Sequence, residues 1–530
     1  MSRFNTRTAR PAVLSPVTTT GRTTTNHQGA VGHLRDARSE LFLLAVANFV
    51  GTDTFYETGG TRDDRYTRLI HTVAVEDPTW LLGLLRWLRT DANMRTAAIV
   101  GAAEMTRARL DAGAHGHSRQ AIDAVLLRAD EPGELLAYWT ARYGRNIPKP
   151  IKRGVADAVR RLYGERSLLK YDTESKGYRF GDVLELVHAS PSAPWQGDLF
   201  RHAIDRRHRA DAEIPGHLDV LARNVHLRHA ARLNPAALLD ADALAAAGMT
   251  WEDTLSLAGD RVDKAALWSG LWPSMGYMAL LRNLRNMDRA GVPDDVAEAV
   301  AARLADPEQV ARSRQFPFRF YAAHTAVQSL RWGHALEKAL RASLANVPAL
   351  PGRTLVLVDQ SPSMFPGYHF STPNTSDITP ADQAKLFGSA LALRAADADL
   401  VGYGIENYAV PFHRGDAVLT VMGRFRMEDG TDTPAAVRDH FKGHDRVVIV
   451  TDEQTGNMWT RTPGLTVDST VPAHVPVYTW NLAGYRAGHA PSGAANRHTF
   501  GGLTDAAFRM IPLLESGRSA TWPWEQRAAA

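Results

Sequence analysis

The sequence predicts an α-plus-α/β chain, a helical-repeat domain followed by a doubly wound parallel sheet, and three observations carry that reading. The first is a run of Leu- and Ala-rich blocks from about Leu34 to Ala345, separated by short polar or Pro/Gly breaks. The second is an abrupt change after Asn346-Val347-Pro348, where short, wholly apolar runs begin to alternate with helical stretches. The third is a polar segment, Asp359 to Ser363, directly after the first of those runs. The domains expected are a basic disordered arm over 1–30, a helical domain over 31–348 and a sheet domain over 349–530.

The arm is read from composition. The first 35 residues hold five arginines and no acid, with many threonines and few large apolar groups, too little to offset the entropy of ordering. Through the helical domain the apolar residues recur at helical spacing, as in 77–89 (DPTWLLGLLRWLR), 119–129 (RQAIDAVLLRA) and 294–305 (DDVAEAVAARLA). Alternating β-branched patterns are scarce there. Many short helices without a long strand run suggest a solenoid of helix pairs. Beyond Pro348–Gly352 the runs RTLVLVD, ADLVGYGI, DRVVIVTD and VPVYTWN read as buried parallel strands, with helices between them on both faces.

Composition excludes several classes. The 530 residues are 44% hydrophobic and 22% charged, and contain no cysteine. Disulfides, thiolate zinc sites, iron–sulfur clusters and thiol nucleophiles are therefore out. No run is long and apolar enough for a membrane span, and the basic start lacks the apolar core of a secretory signal, so a cytoplasmic protein without membrane partners is expected. Net charge is +4, with 15 basic and 18 acidic residues from Leu350 onward, so the front carries the positive excess. The chain has no P-loop, His-Glu-x-x-His or Gly-x-Ser-x-Gly motif, and the expectation is a binding protein rather than an enzyme.

Asp359, Ser361 and Ser363 form Asp-x-Ser-x-Ser at a strand end, where α/β sheets place their ligands. Gly430-Thr431-Asp432-Thr433 precedes a helix and Asp452 ends a later strand. Carboxylates and hydroxyls without nitrogen or sulfur suit a hard divalent cation such as Mg²⁺. The alternative is a polar turn with a helix cap. This pattern resembles the metal-ion-dependent adhesion site of von Willebrand factor type A domains. The resemblance implies Asp359, Ser361, Ser363, Thr431 and Asp452 as metal ligands, with Thr433 the alternative to Thr431, and an acidic protein ligand completing the shell.

On the helical domain, Lys149, Lys152, Arg153 and Arg160 share one side of the 148–164 segment, opposite Ile151, Val155 and Val159. Arg282, Arg285 and Arg289 share a face at i, i+3 and i+7, with Asn283 and Asn286 beside them. Arginine pairs phosphates and stacks on bases, so both faces are candidate RNA-binding surfaces. A solvated face, or arginines tying helices together, is the bland alternative. Residues 201–232 hold seven arginines against four acids. His115 and His117 form a weak metal motif. Phe55, Tyr56, Gly59 and Gly60 read as a loop joining repeats or lying near RNA.

Several segments resemble the TROVE module of the Ro RNP autoantigen family: 55–66 (FYETGGTRDDRY), 91–99 (DANMRTAAI), 148–164, 178–191 (YRFGDVLELVHASP), 275–291 (MGYMALLRNLRNMDRAG) and 314–324 (RQFPFRFYAAH). They lie in that family's order, with the type A pattern after them. The resemblance implies HEAT-like repeats bent into a ring. It implies small noncoding RNA as partner, a Y-RNA-like molecule outside and single-stranded 3′ ends of misfolded RNA in the hole, and a role in RNA quality control or RNP assembly. It also implies a tie to polynucleotide phosphorylase or another nuclease through RNA. The chain departs from the family at Arg179-Phe180-Gly181, where some animal members carry a histidine, and in a long segment at 365–377.

Overall fold

The computed structural model describes residues 13–47, 51–209, 212–327, 329–365, 378–456, 460–461 and 463–525. The chain divides into two compact units. One comprises residues up to Leu69 together with Gln315–Ala322 and Leu340 onward, and the other comprises Ile70–Arg314 with Ala323–Ala339.

The second unit is helical. Among the described residues no strand lies between Arg35 and Arg353. Its helices start where the sequence supplies caps. Asp77 accepts the Trp80 backbone N–H at 3.0 Å ahead of Pro78–Thr90, and Asp263 does the same for Ala266 at 2.8 Å ahead of Lys264–Leu271. Close crossings need small residues. A Cβ on Gly154 would sit 2.6 Å from Ile122 Cβ and 2.8 Å from the Arg119 carbonyl, so glycine lets Lys149–Leu162 lie against Ser118–Val125. The helix Arg95–Asp111 buries Glu104, which is fully enclosed. Burial alone would push its carboxyl up. Hydrogen bonds from His71, Tyr138 and Tyr143, at 2.5–2.7 Å, outweigh that and hold it below the usual range.

The first unit is built on a six-stranded sheet. Its strands are β3 (Arg353–Asp359), β4 (Asp397–Tyr403), β5 (Asn407–Ala409), β6 (Arg446–Thr451), β7 (Val477–Asn481) and β9 (Arg497–Gly501), in the order β5-β4-β3-β6-β7-β9. All neighbours are parallel except the β4–β5 edge pair. Alternate β3 residues go to opposite faces. Leu355 and Leu357 join Val447, Ile449 and Val477 beneath Ala436 and Val437 of the helix Thr433–His440. Val358 faces the helix Pro380–Arg394, where a Cβ on Gly388 would lie 2.3 Å from Val358 Cγ2. Helices thus cover both faces, as the apolar strands require, and the predicted fold class holds.

The amino-terminal arm departs from expectation. Residues 1–12 lie outside the described residues, but Thr19–Thr25 forms β1 and Val31–Arg35 forms β2. Together with β8 (Ala487–Gly488) they make an antiparallel sheet in the order β1-β2-β8. The threonines that resembled disorder are β-branched residues of an exposed edge strand. Asn26 shapes the turn between β1 and β2: its Oδ1 accepts the backbone N–H of Gln28 at 3.0 Å and of Ala30 at 2.9 Å. The division at 348 is also not the division of the fold, because the described residues up to Leu69 belong to the unit that holds the sheet.

Candidate metal centre and candidate nucleic-acid faces

The candidate metal ligands converge at the carboxyl edge of the sheet. β3 and β6 are adjacent central strands, so Asp359 at the end of one and Asp452 just past the other are neighbours. Asp359 Oδ1 accepts the Ser361 backbone N–H at 2.9 Å, and Asp359 Oδ2 accepts the Thr451 hydroxyl at 2.6 Å. Ser361 Oγ and Ser363 Oγ are 3.2 Å apart. Asp452 Oδ1 accepts the Gln454 backbone N–H at 3.0 Å. The Thr431 carbonyl accepts the Gly456 N–H at 2.8 Å, tying the second loop to the third. Asp359, Ser361, Ser363, Thr431 and Asp452 are each no more than 5% exposed.

Two buried carboxylates side by side are costly. Burial, and then the charge of Asp359, push the Asp452 carboxyl up to about 8. Asp359 is also raised, by burial. Asp452 Oδ2 and Thr431 Oγ1 are buried with no hydrogen-bond partner among the described residues. Two acids and three hydroxyls, with one oxygen of an acid and one of the hydroxyls orphaned, fit a hard divalent cation, whose charge would neutralise the pair. Thr433, the alternative to Thr431, points elsewhere: its hydroxyl donates to Tyr403 Oη at 3.4 Å. Among the described residues no group of three or more His, Asp or Glu could hold a metal, so this mixed acid–hydroxyl set is the candidate. His117 is engaged with the Thr79 hydroxyl at 3.3 Å.

Sequence reasoning missed what surrounds these loops. Thr451, one residue before Asp452, holds Asp359. Tyr56, expected in a loop joining repeats or near RNA, lies beside Ser363 and is hydrogen-bonded to Gln28. Burial, then the Asp452 charge, push the Tyr56 hydroxyl up to about 12. Gly59 opens a helix, Gly59–Glu76, and its lack of a Cβ admits the Gly51 backbone, which would lie 2.7 Å from one. The segment 366–377, most of the predicted long insertion, lies outside the described residues.

The candidate RNA residues are positioned by their helices. Lys149, Arg153 and Arg160 are exposed along Lys149–Leu162 and Lys152 is half-buried, while Ile151, Val155, Ala158 and Val159 are buried. Arg160 Nε donates to the Ser190 carbonyl at 2.8 Å, so one edge of its guanidinium is engaged. Arg282, Arg285 and Arg289 are exposed on Tyr277–Ala290, and no ion pair or hydrogen bond holds their side chains among the described residues. Asn283, expected beside them, is instead buried, and its Nδ2 donates to the Ala279 carbonyl at 2.8 Å. Several arginines of 201–232 are paired with acids, Arg207 with Asp182 at 2.9 Å and Arg228 with Asp253 at 2.9 Å. Arg201, Arg223 and Arg232 stay exposed. No helix of the described residues is long and apolar enough to cross a membrane.

The chain matches the TROVE domain family over residues 245–346. It is 43% identical over 83 residues to telomerase protein component 1 of Mus musculus, and equally to that of Rattus norvegicus. Those 83 residues are 15% of this chain and 3% of either relative, so the chain spans only a small part of the curated proteins it matches. The crystal structure of the Deinococcus radiodurans RO (RSR) protein has the same fold, with a TM-score of 0.60 and 18% identity over 91% of this chain and 100% of that one. The segment that matches the TROVE domain family thus lies inside a chain-wide likeness of fold to that RO protein.

Proposed function

We propose that the chain binds small noncoding RNA through the basic faces of its helical unit and acts as a binding protein without turnover of its own. The observation that carries this is the face formed by Arg282, Arg285 and Arg289. Three exposed guanidiniums with no protein partner among the described residues lie along one helix inside the matched TROVE segment. An arginine that ties helices together would have an acceptor, as Arg207 and Arg228 do. Lys149, Lys152 and Arg153 offer a second set of cations. A structured, Y-RNA-like molecule and single-stranded 3′ ends are the ligands of this reading, in RNA quality control or RNP assembly.

The test is a titration of the full chain with small structured RNAs at several salt concentrations. The expected result is binding whose affinity falls with salt. Arg282→Gln/Arg285→Gln/Arg289→Gln should flatten the slope of log K against log salt by about 0.7–0.9 for each phosphate no longer neutralised. An unchanged slope in that variant would remove this face from the account.

In the same reading a divalent cation, Mg²⁺ by its ligand preference, is held by Asp359, Ser361, Ser363, Thr431 and Asp452. Its contribution is to neutralise the two buried carboxylates and fix the three loops.

A further inference from the structure

The loops of the candidate metal centre do not face open solvent; residues from the first 57 positions lie over them. The Asn26–Ala30 turn rests on the loop after β6. Asn26 Nδ2 donates to the Thr455 carbonyl at 2.8 Å, the His27 N–H donates to Gln454 Oε1 at 3.1 Å, and Gly29 forms an isolated antiparallel bridge with Gly456. Gly456 is the residue bonded to the Thr431 carbonyl. Gln28, at the apex of the turn, donates to the Tyr56 hydroxyl, and Tyr56 lies beside Ser363.

Tyr56 is itself firmly held. Its ring stacks on His27, with centroids 5.0 Å apart and planes within 3°, and meets the edge of Tyr485 at 5.6 Å. The turn that presents it closes with the Thr54 N–H donating to the Glu57 carbonyl at 2.9 Å. Glu57 is paired with Arg62 at 3.2 Å and Arg65 at 2.8 Å. Those two arginines continue to the carbonyls of Ala483 and Gly484, at 2.7 and 3.0 Å, in the loop after β7. A loosely placed surface tyrosine would have none of this support.

We propose that Tyr56, braced by Gln28 and His27, is a built-in cover of the cation site that keeps carboxylates of other molecules off the metal. The site is then internal, holding the three loops and the amino-terminal turn together, rather than a docking point for an acidic protein. This rests on the reading that the five ligand residues hold a divalent cation. The geometry behind it is the near-complete burial of all five, at 5% exposure or less, with a phenol hydroxyl beside one of them.

The test uses the full chain with Mn²⁺, which accepts the same oxygen ligands. Bound Mn²⁺ is read by its enhancement of water-proton relaxation, and acetate serves as the carboxylate probe. In the native protein, acetate should leave the enhancement unchanged. In Tyr56→Ala, acetate should lower it by displacing metal-bound water, and Gln28→Ala should fall between the two. Tyr56→Phe keeps the ring stacking and serves if Tyr56→Ala does not fold; loss of the hydroxyl alone should admit some acetate. Asp359→Asn is the control that should lose the Mn²⁺ signal. Equal acetate sensitivity in native protein and Tyr56 variants would overturn the cover while leaving the cation reading intact. Failure of the native chain to bind Mn²⁺ would overturn both.

Discussion

Arg35 and Glu453, 418 positions apart in sequence, form a fully buried ion pair, with side-chain exposures of 0% and 1%. Arg35 closes β2, and Glu453 directly follows the candidate ligand Asp452 in a left-handed conformation, at φ 64°. Burial pushes the Glu453 carboxyl up, but the Arg35 charge, with His489 and Asn481, outweighs it and holds the group below its usual range. The amino-terminal sheet and the loop that carries Asp452 are thus joined through charge as well as backbone.

Removing one member of such a pair leaves the other buried and uncompensated. Arg35→Met should therefore cost about 3–5 kcal/mol, read as a lower urea midpoint. The double variant Arg35→Met/Glu453→Gln should recover part of that loss. Additive losses would mean that the two residues are not energetically coupled.

Gly154→Ala separates helix propensity from packing. Alanine gains about 0.5–1 kcal/mol in a helix interior, but here its methyl would meet Ile122 Cβ at 2.6 Å and the Arg119 carbonyl at 2.8 Å. Overpacking of that kind costs about 1–3 kcal/mol, so the net effect should be destabilising. Gly333→Ala, in the helix Leu330–Ser343 with nothing within 4 Å of the new Cβ, should instead stabilise. Thermal melts of the two variants side by side check the sign of each.

His498 sets an acid limit on stability. Burial, then the Arg497 charge, push it down to about 4. Its Nδ1 lies 3.0 Å from Ser15 Oγ, and its ring stacks on Tyr478. A histidine depressed from its ordinary 6.5 favours the fold in its neutral form. That stabilisation is complete above about pH 6.5 and is lost as pH falls toward 4, about 2 kcal/mol of it between pH 7 and 5. His489, also pushed down to about 4 by burial, titrates in the same window. Urea midpoints at pH 7 and pH 5 should fall less for His498→Gln than for the native chain, with the remaining slope assigned to His489.

How far the sequence carried these conclusions depended on whether the signal was local. RTLVLVD announced β3 because a strand buried on both faces must be apolar throughout, and its terminal Asp359 stood out against that run. Asp452 was legible for the same reason at the end of β6. Thr431 was named through the resemblance to type A domains, since Gly430-Thr431-Asp432-Thr433 offers two threonines ahead of one helix. β1 was not legible, because its side chains are exposed and its partners, β2 and Ala487–Gly488, are chosen by backbone pairing. Tyr56 escaped because its meaning comes from Gln28 and from Ser363, the latter distant in the chain. Asn283 was misjudged because the buried arc of Tyr277–Ala290 is wider than the arginine spacing suggested, extending from Leu280 through Asn283 to Met287.

The central claim is that exposed arginines and lysines of the helical unit hold RNA, and the most direct measurement is crosslinking and sequencing of the RNA that copurifies with the full chain. The native protein should yield small structured RNAs. Lys152→Glu/Arg153→Glu and Arg282→Glu/Arg285→Glu/Arg289→Glu should each reduce the yield while retaining native melting. Absence of RNA from the native protein at low salt, or undiminished RNA in both variants, would contradict the account.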